Sequence, residues 1–215
     1  MGQPSQAREK LLNTAIELMS ARSYADVGVQ ELCEHAAVKK GSFYHFFPSK
    51  RDLALAALDR QWEVVQREVL ERAFDEQMPP LKRLERCFEL FYDHHCGVKA
   101  QTGRVLGCPF GNLAGELSTQ DEGIRLRVVR IFKGVASYIE RALRDAVKAG
   151  EVPEMDTSTA AQAVVAYMEG IMLLAKATNE PGLIKQLGQS SIRGLVAGMA
   201  APRTPPERKR RAVGE

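Results

Sequence analysis

From His35 to Arg51 the chain has no acidic residue, yet it carries Lys39, Lys40, His45, Lys50 and Arg51. On a helix, Lys40, Gly41, Tyr44 and His45 share one face at i, i+1, i+4 and i+5, while Val38, Phe43 and Phe47 fall on another. An apolar face for a core and a basic, aromatic face for the outside is what a helix inserted in a nucleic-acid groove needs. Gly41 removes a side chain where a sugar-phosphate backbone would come close. Lys39 and Lys40 at a helix N-terminus oppose the helix dipole, at a cost of about 0.3–1 kcal/mol each. An anion bound by the free amides and both lysines reverses that balance, and a phosphate backbone supplies one. The plain alternative is a solvated lysine pair on a surface helix.

GCPFGN, Gly107 to Asn112, is the second pointed feature. With Pro109 as the first helical residue, Cys108 is the N-cap, and its sulfur faces the positive helix end with Arg104 close in sequence. Both would lower the thiol pKa, the setting of an electrophile- or redox-sensing cysteine. The alternative is a small apolar side chain beside a turn. His94, His95 and Cys96, with Cys87 upstream, gather metal-ligating residue types. Cys87 and His94 stand roughly 10.5 Å apart along one helix, however, and adjacent residues point in different directions. No metal and no cofactor are therefore expected. A nucleophile elbow, a glycine-rich phosphate loop and HExxH are all missing, so the sequence predicts no enzyme.

The elements that must hold these residues are helices. No segment alternates β-branched and polar residues, and helical periodicity dominates, so the expected fold is all-α. One helix is predicted from Gln6 to Ala21, a short one from Val29 and a third from Lys39 or Lys40 to before Pro48. Helix, short helix, tight turn and short helix within about forty residues is the helix-turn-helix pattern. Ser49 with Asp52 is a capping box that opens a long helix running to about Gln77, where Met78-Pro79-Pro80 stops it. Further helices are expected near 81–97, 109–117, 121–149, 157–179 and 181–199. The organisation predicted is a DNA-binding domain at 1–52, a second helical domain at 53–201 and a disordered basic tail at 202–215.

Composition sets the outer limits. Hydrophobic residues make up 45% and charged residues 27% of 215, an ordinary globular balance. The net charge of +3 belongs to the tail: setting its five basic and two acidic residues aside from 30 and 27 leaves 25 of each sign in residues 1–201. Overall charge therefore says nothing about DNA; only its local distribution does. The longest apolar stretch, near 163–175, is interrupted by Glu169, and no apolar run follows the charged N-terminus, so no membrane association and a cytoplasmic location are expected. Cys33, Cys87, Cys96 and Cys108 form no CxxC and are expected to be free thiols.

Residues 8–58, above all VKKGSFYHFFPSKRDL from Val38 to Leu53, resemble the DNA-binding domain of TetR-family transcriptional regulators. The remainder resembles that family only in length and helical layout, which implies a helical ligand-binding and dimerisation domain at 53–201. The resemblance implies a homodimer that binds double-stranded, palindromic operator DNA and is released by a small-molecule inducer, most simply a repressor. It makes Lys40, Ser42, Tyr44 and His45 contacts of the recognition helix, Gln30 a contact from the second helix and Lys50 a phosphate contact at the start of the fourth. Three positions depart from the family pattern. Gly28 and Lys39 stand where a Ser or Thr cap is usual, and Ala37 stands where the turn commonly has Gly. If Ala37 is left-handed, the strain is about 1 kcal/mol.

In the second domain the candidate ligand contacts are Trp62, Phe88, Phe91, Tyr92, Cys108, Phe110, Asn112, Tyr138, Tyr167, Met168 and Met172, since aromatics and Met suit an adaptable cavity. Core packing is the alternative for each. The last two helices carry Ala163, Ala166, Gly170, Gly188, Gly194 and Gly198, small residues that permit close approach in a four-helix dimer interface or within one subunit. The helix from Ser49 to Gln77 joins both domains and is the expected lever. Reactive Cys108 defines an alternative function, a thiol-sensing regulator; a helical enzyme or carrier is the remote one.

Overall fold

The computed structural model describes residues 6–199, all of whose regular structure is helical. The predicted tail at 202–215 lies outside the described residues. Helices α1 (Gln6–Ala21), α2 (Val29–His35) and α3 (Lys40–Phe46) form the N-terminal domain. Helix α4 (Lys50–Val65) leads out of it, passes through a π-helical turn at Gln66–Leu70 and ends in a last α-turn, α5 (Glu71–Ala73). The second domain comprises α6 (Pro80–Thr102), α7 (Pro109–Leu117), α8 (Glu122–Lys148), α9 (Thr157–Thr178) and α10 (Gly182–Gly198).

The caps explain most boundaries. Ser49 Oγ accepts the Asp52 N–H at 3.2 Å and donates to the Asp52 carboxylate at 2.7 Å, closing the capping box that starts α4. Asp121 caps α8 through the Ile124 N–H, and Asp156 caps α9 through the N–H groups of Ser158 and Thr159. Gly150, at φ 71, follows α8 in the left-handed conformation that ends helices. Ala37, at φ 50, does turn left-handed between α2 and α3. Its position lets the Val38 N–H reach the Cys33 carbonyl at 2.9 Å, tightening the helix-turn-helix bend.

Two elements differ from their sequence expectation. The helix expected to end near Gly97 continues to Thr102, because Gly97 lies on a face with open space and breaks nothing. The long helix expected from Ser49 to Gln77 is not regular: it widens into the π-turn, and Phe74, at φ −99 and ψ 36, leaves the helix before the prolines. Buried Arg83 fixes the loop beyond, donating to the carbonyls of Met78 and Glu76 and to Asp145.

Three apolar clusters divide the molecule. Leu11, Ala15, Val27, Leu32, Phe43, Phe47 and, from α4, Leu53, Ala54 and Ala57 belong to the N-terminal core. Phe74, Leu84, Phe88, Ile139, Leu143, Val164, Ile171 and Ile184 belong to the core of the second domain. Leu58, Phe110, Leu113, Leu117, Ile124 and Val128 form a third cluster between them. Helix α4 thus presents Leu53, Ala54 and Ala57 to the N-terminal core and Leu55 and Leu58 to the third cluster, and belongs to both bodies. Helix α9 is long and apolar enough by length and composition to cross a membrane. Here it packs in the second core, burying Val164, Met168, Ile171 and Met172.

Candidate DNA-binding surface and ligand cavity

Helix α3 is anchored by Phe43, which is wholly buried, and by Phe47 behind it. Their burial turns Lys39, Lys40, Gly41, Tyr44 and His45 to solvent. Tyr44 is 49% exposed. Nothing lies within 4 Å of where a Gly41 Cβ would stand, so the free protein has no need of a glycine there. Gly28 and Lys39 are the N-cap residues of α2 and α3 and provide no side-chain cap. Ser42 is half-buried beside them.

Two predicted contacts are already engaged. Gln30 donates to Glu34 at 2.8 Å on the surface of α2. Lys50 donates to the carbonyls of Tyr24 at 2.9 Å and Val27 at 3.0 Å, with its ammonium 4.1 Å from the Tyr24 ring centre. Its charge satisfies the loop between α1 and α2, and a phosphate contact would have to share it.

In the second domain a cavity opens between α4, α6, α7, α8 and α9. Of the predicted ligand contacts the fold brings Phe91, Cys108, Phe110, Met168 and Met172 into its wall. The remaining six stand elsewhere. Trp62 packs on α8, where a Cβ on Gly134 would come within 2.7 Å of its ring. Phe88 is buried against Gly188, and Tyr167 donates to the Leu187 carbonyl at 3.0 Å. Tyr138 packs on Phe74 and receives a hydrogen bond from Gln66 at 3.4 Å. Tyr92 lies against Cys96, whose sulfur holds the phenol up in pKa. Asn112 accepts from Lys176 at 2.9 Å and donates to the Leu106 carbonyl, lining a second cavity next door.

The cavity also uses residues that aromatic counting passed over: Val65, Glu68 and Val69 beside or in the π-turn, His94, His95 and Glu169. A signal for Glu169 was present, a single carboxylate inside the most apolar stretch. Burial raises its pKa, and the Cys108 hydrogen bond works the other way. His94 and His95 are both pulled below the usual imidazole range by burial, His95 to about 4. Among the described residues no three His, Cys, Asp or Glu side chains gather as a metal would need.

Cys108 is the N-cap of α7, as its place before Pro109 suggests, and its Sγ accepts the Gly111 N–H at 3.4 Å. The expected low pKa is overturned. Burial and the neighbouring Glu169 carboxylate push the thiol well above its ordinary value, outweighing the helix amides. Glu169 reaches the sulfur over Gly111, where any Cβ would collide with the carboxylate.

The pattern of the tetR family of bacterial regulatory proteins matches residues 11–57, and that of the tetracycline-repressor-like C-terminal domain matches residues 80–190. The chain belongs to the TetR family. This regulator is 31% identical to the transcriptional regulator AcuR of Cereibacter sphaeroides over 179 residues, covering 82% of this chain and 80% of AcuR. Its fold superposes on the regulatory protein TetR from Rhodobacter sphaeroides with a TM-score of 0.76, at 29% identity over 89% of this chain and 98% of that one. The reduced form of E. coli NemR, named a transcriptional repressor, matches with a TM-score of 0.72 at 25% identity, over 92% and 99% of the two chains. The regulator therefore has an N-terminal DNA-binding helix-turn-helix and a C-terminal domain of the ligand-binding type.

Proposed function

We propose that this regulator is a repressor that binds a palindromic operator in the cytoplasm as a homodimer and leaves it when a small-molecule inducer fills the cavity between α4 and α7. The observation that supports it is the sharing of walls. Helices α4 and α7 line the cavity, and both also pack on the N-terminal domain. A ligand that moves either one shifts α3 as well. Two recognition helices must stand about 34–36 Å apart to enter successive major grooves, so a small spread releases DNA.

Dimer formation is supported by α9, where Ala166, Gly170, Leu173 and Leu174 lie exposed; Leu173 is 66% and Leu174 51% accessible. The interface proposed for the two last helices excludes Gly188, which packs inside the subunit against Phe88. In the DNA contact we place Lys39, Lys40, Gly41, Tyr44 and His45 at the groove, with Gly28 and Ser42 flanking. Thiol sensing through Cys108 is the weaker reading, since its sulfur is held protonated.

Fluorescence anisotropy with a selected operator tests the DNA reading. Tyr44→Ala and His45→Ala should weaken binding, and Lys40→Ala should reduce the salt slope by about one unit. Gly41→Val should fold normally and lose the operator. Wild-type affinity and slope in all four would exclude α3 as the reader.

A further inference from the structure

His95 is 4% exposed, and its Nε2 has no hydrogen-bond partner among the described residues. Buried polar atoms are normally paired, and this one belongs to a residue of the cavity wall. Its imidazole is neutral, held so by burial and by His94. The cavity wall that His95 shares is aromatic and sulfur-bearing, with Phe91, Phe110, Phe132, Met168 and Met172 in it. Among the described residues no lysine or arginine lines this cavity.

The charges that do line it select against ions. Glu68 is already paired with Arg67 at 2.8 Å, and Glu169 is engaged with Cys108. An anion would meet two carboxyl groups and no cation in an apolar site, and would leave water without repayment. A cation would have to draw Glu68 from Arg67 or Glu169 from Cys108. A neutral imidazole offers Nε2 as donor in one tautomer and as acceptor in the other. A carbonyl answers one of these, and a hydroxyl answers both.

We propose that the cavity takes a neutral hydrophobic molecule bearing one hydroxyl, of the phenol or aromatic-alcohol class, whose oxygen hydrogen-bonds Nε2 of His95. This rests on the reading of the cavity as the inducer site and narrows its chemistry. The aromatic part lies among Phe91, Phe110 and Met172, and the hydroxyl supplies the partner that His95 lacks.

Four probes with the same isopropylphenyl frame test it on the full chain by equilibrium dialysis. Thymol has a hydroxyl, p-cymene has no polar group, cuminate is an anion and cuminylamine a cation. Thymol should bind about tenfold or more tightly than p-cymene, the worth of pairing one buried polar atom, and more tightly than either ion by at least as much. His95→Gln should keep the thymol preference, and His95→Leu should abolish it without weakening p-cymene. In the wild type, thymol should shift the His95 Nε2 nitrogen resonance and p-cymene should not, a readout that needs no variant to fold. Equal binding of thymol and p-cymene, tightest binding by an ion, or no binding of any probe overturns the proposal. Operator release is measured separately: thymol that binds without releasing DNA sinks the inducer reading and leaves the ligand class standing.

Discussion

Glu116, near the C-terminal end of α7, accepts the backbone N–H of Tyr24 at 2.8 Å and that of Ala25 at 2.9 Å. One side chain of the second domain thereby satisfies two amides of the loop that enters the helix-turn-helix. At the other end of the same helix, Cys108, Pro109 and Phe110 form cavity wall. Nine helical residues span roughly 13 Å and move as a rod, so a displacement at Phe110 is delivered to Tyr24. Two ion pairs reinforce the junction, Arg51 with Asp121 and Arg127 with Asp59. In the proposed release mechanism the lever is double: α4 by continuity of chain and α7 by this carboxylate.

Glu116→Ala should leave two amides without their partner. Hydrogen exchange at Tyr24 and Ala25 should accelerate, with a stability loss of about 1–3 kcal/mol. Operator affinity without ligand should change little, while the ligand concentration needed for release should rise, because one of two links is cut. Unchanged exchange at both amides would show that the clamp does not form in solution.

Lys50 gives a contrast with the lysines of α3. Removal of a phosphate contact alone would alter DNA affinity and leave the melt untouched. Since Lys50 Nζ is bound to the carbonyls of Tyr24 and Val27, Lys50→Met should lower thermal stability measurably, by about 1–3 kcal/mol of lost hydrogen bonding. Lys40→Met, on an exposed side chain, should not. Equal melting temperatures for both variants would return Lys50 to the role of a plain phosphate contact.

The outward face of α3 was legible in the sequence because one short amphipathic helix decides it: burying Phe43 and Phe47 forces Tyr44 and His45 outward. The capping box at Ser49 and the end of the 121–149 helix before Gly150 were legible for the same local reason. The cavity was less so. Its wall draws single residues from five helices, and periodicity says which face of a helix is apolar without saying what stands opposite. Phe88 and Tyr167 lie on apolar faces too, yet Gly188 and the Leu187 carbonyl fill the space beside them. The π-turn at Gln66–Leu70 leaves no mark in composition. Cys108 shows the reverse case, a correct local reading of the cap whose pKa is set by burial and by Glu169, distant in sequence.

Gly188 and Leu174 should separate folding from assembly. Any Cβ at Gly188 runs into the Phe88 ring, so Gly188→Ala should lower the melting temperature, an overpacking cost of about 1–3 kcal/mol, and should not by itself yield folded monomers. Leu173→Glu with Leu174→Glu changes only exposed side chains. It should produce folded monomers by sedimentation velocity. Intact dimers from the double variant would remove α9 from the interface.

His95 makes stability depend on pH in a defined window. Its folded pKa of about 4 lies below the ordinary 6.5, so between those values the unfolded chain binds more protons. The contribution is fully present above pH 6.5 and is lost as pH falls through the folded value. Its size is at most about 3 kcal/mol, and His94, shifted the same way, adds with the same sign. Urea midpoints should therefore fall more for the wild type than for His95→Leu between pH of about 7 and about 4.5. Parallel profiles would mean that the ring is hydrated and titrates normally.

Cys108 decides between ligand release and thiol chemistry. Its sulfur accepts one amide from α7, an arrangement that favours the thiolate, but it is buried and faces the Glu169 carboxylate, and these raise the pKa. Alkylation rate against pH should therefore give a value above the ordinary thiol pKa of about 8.5. Glu169→Gln should bring it down by removing the adjacent charge, though not below that reference, because burial persists. At neutral pH, Cys108 should react more slowly in the folded chain than in urea. Mild oxidant should leave the operator complex intact in wild type and in Cys108→Ser alike. A pKa below the reference, or oxidant release that Cys108→Ser prevents, would restore the sensing reading. It would also show that a movement of Glu169 away from the sulfur, absent from the arrangement described, comes before the reaction.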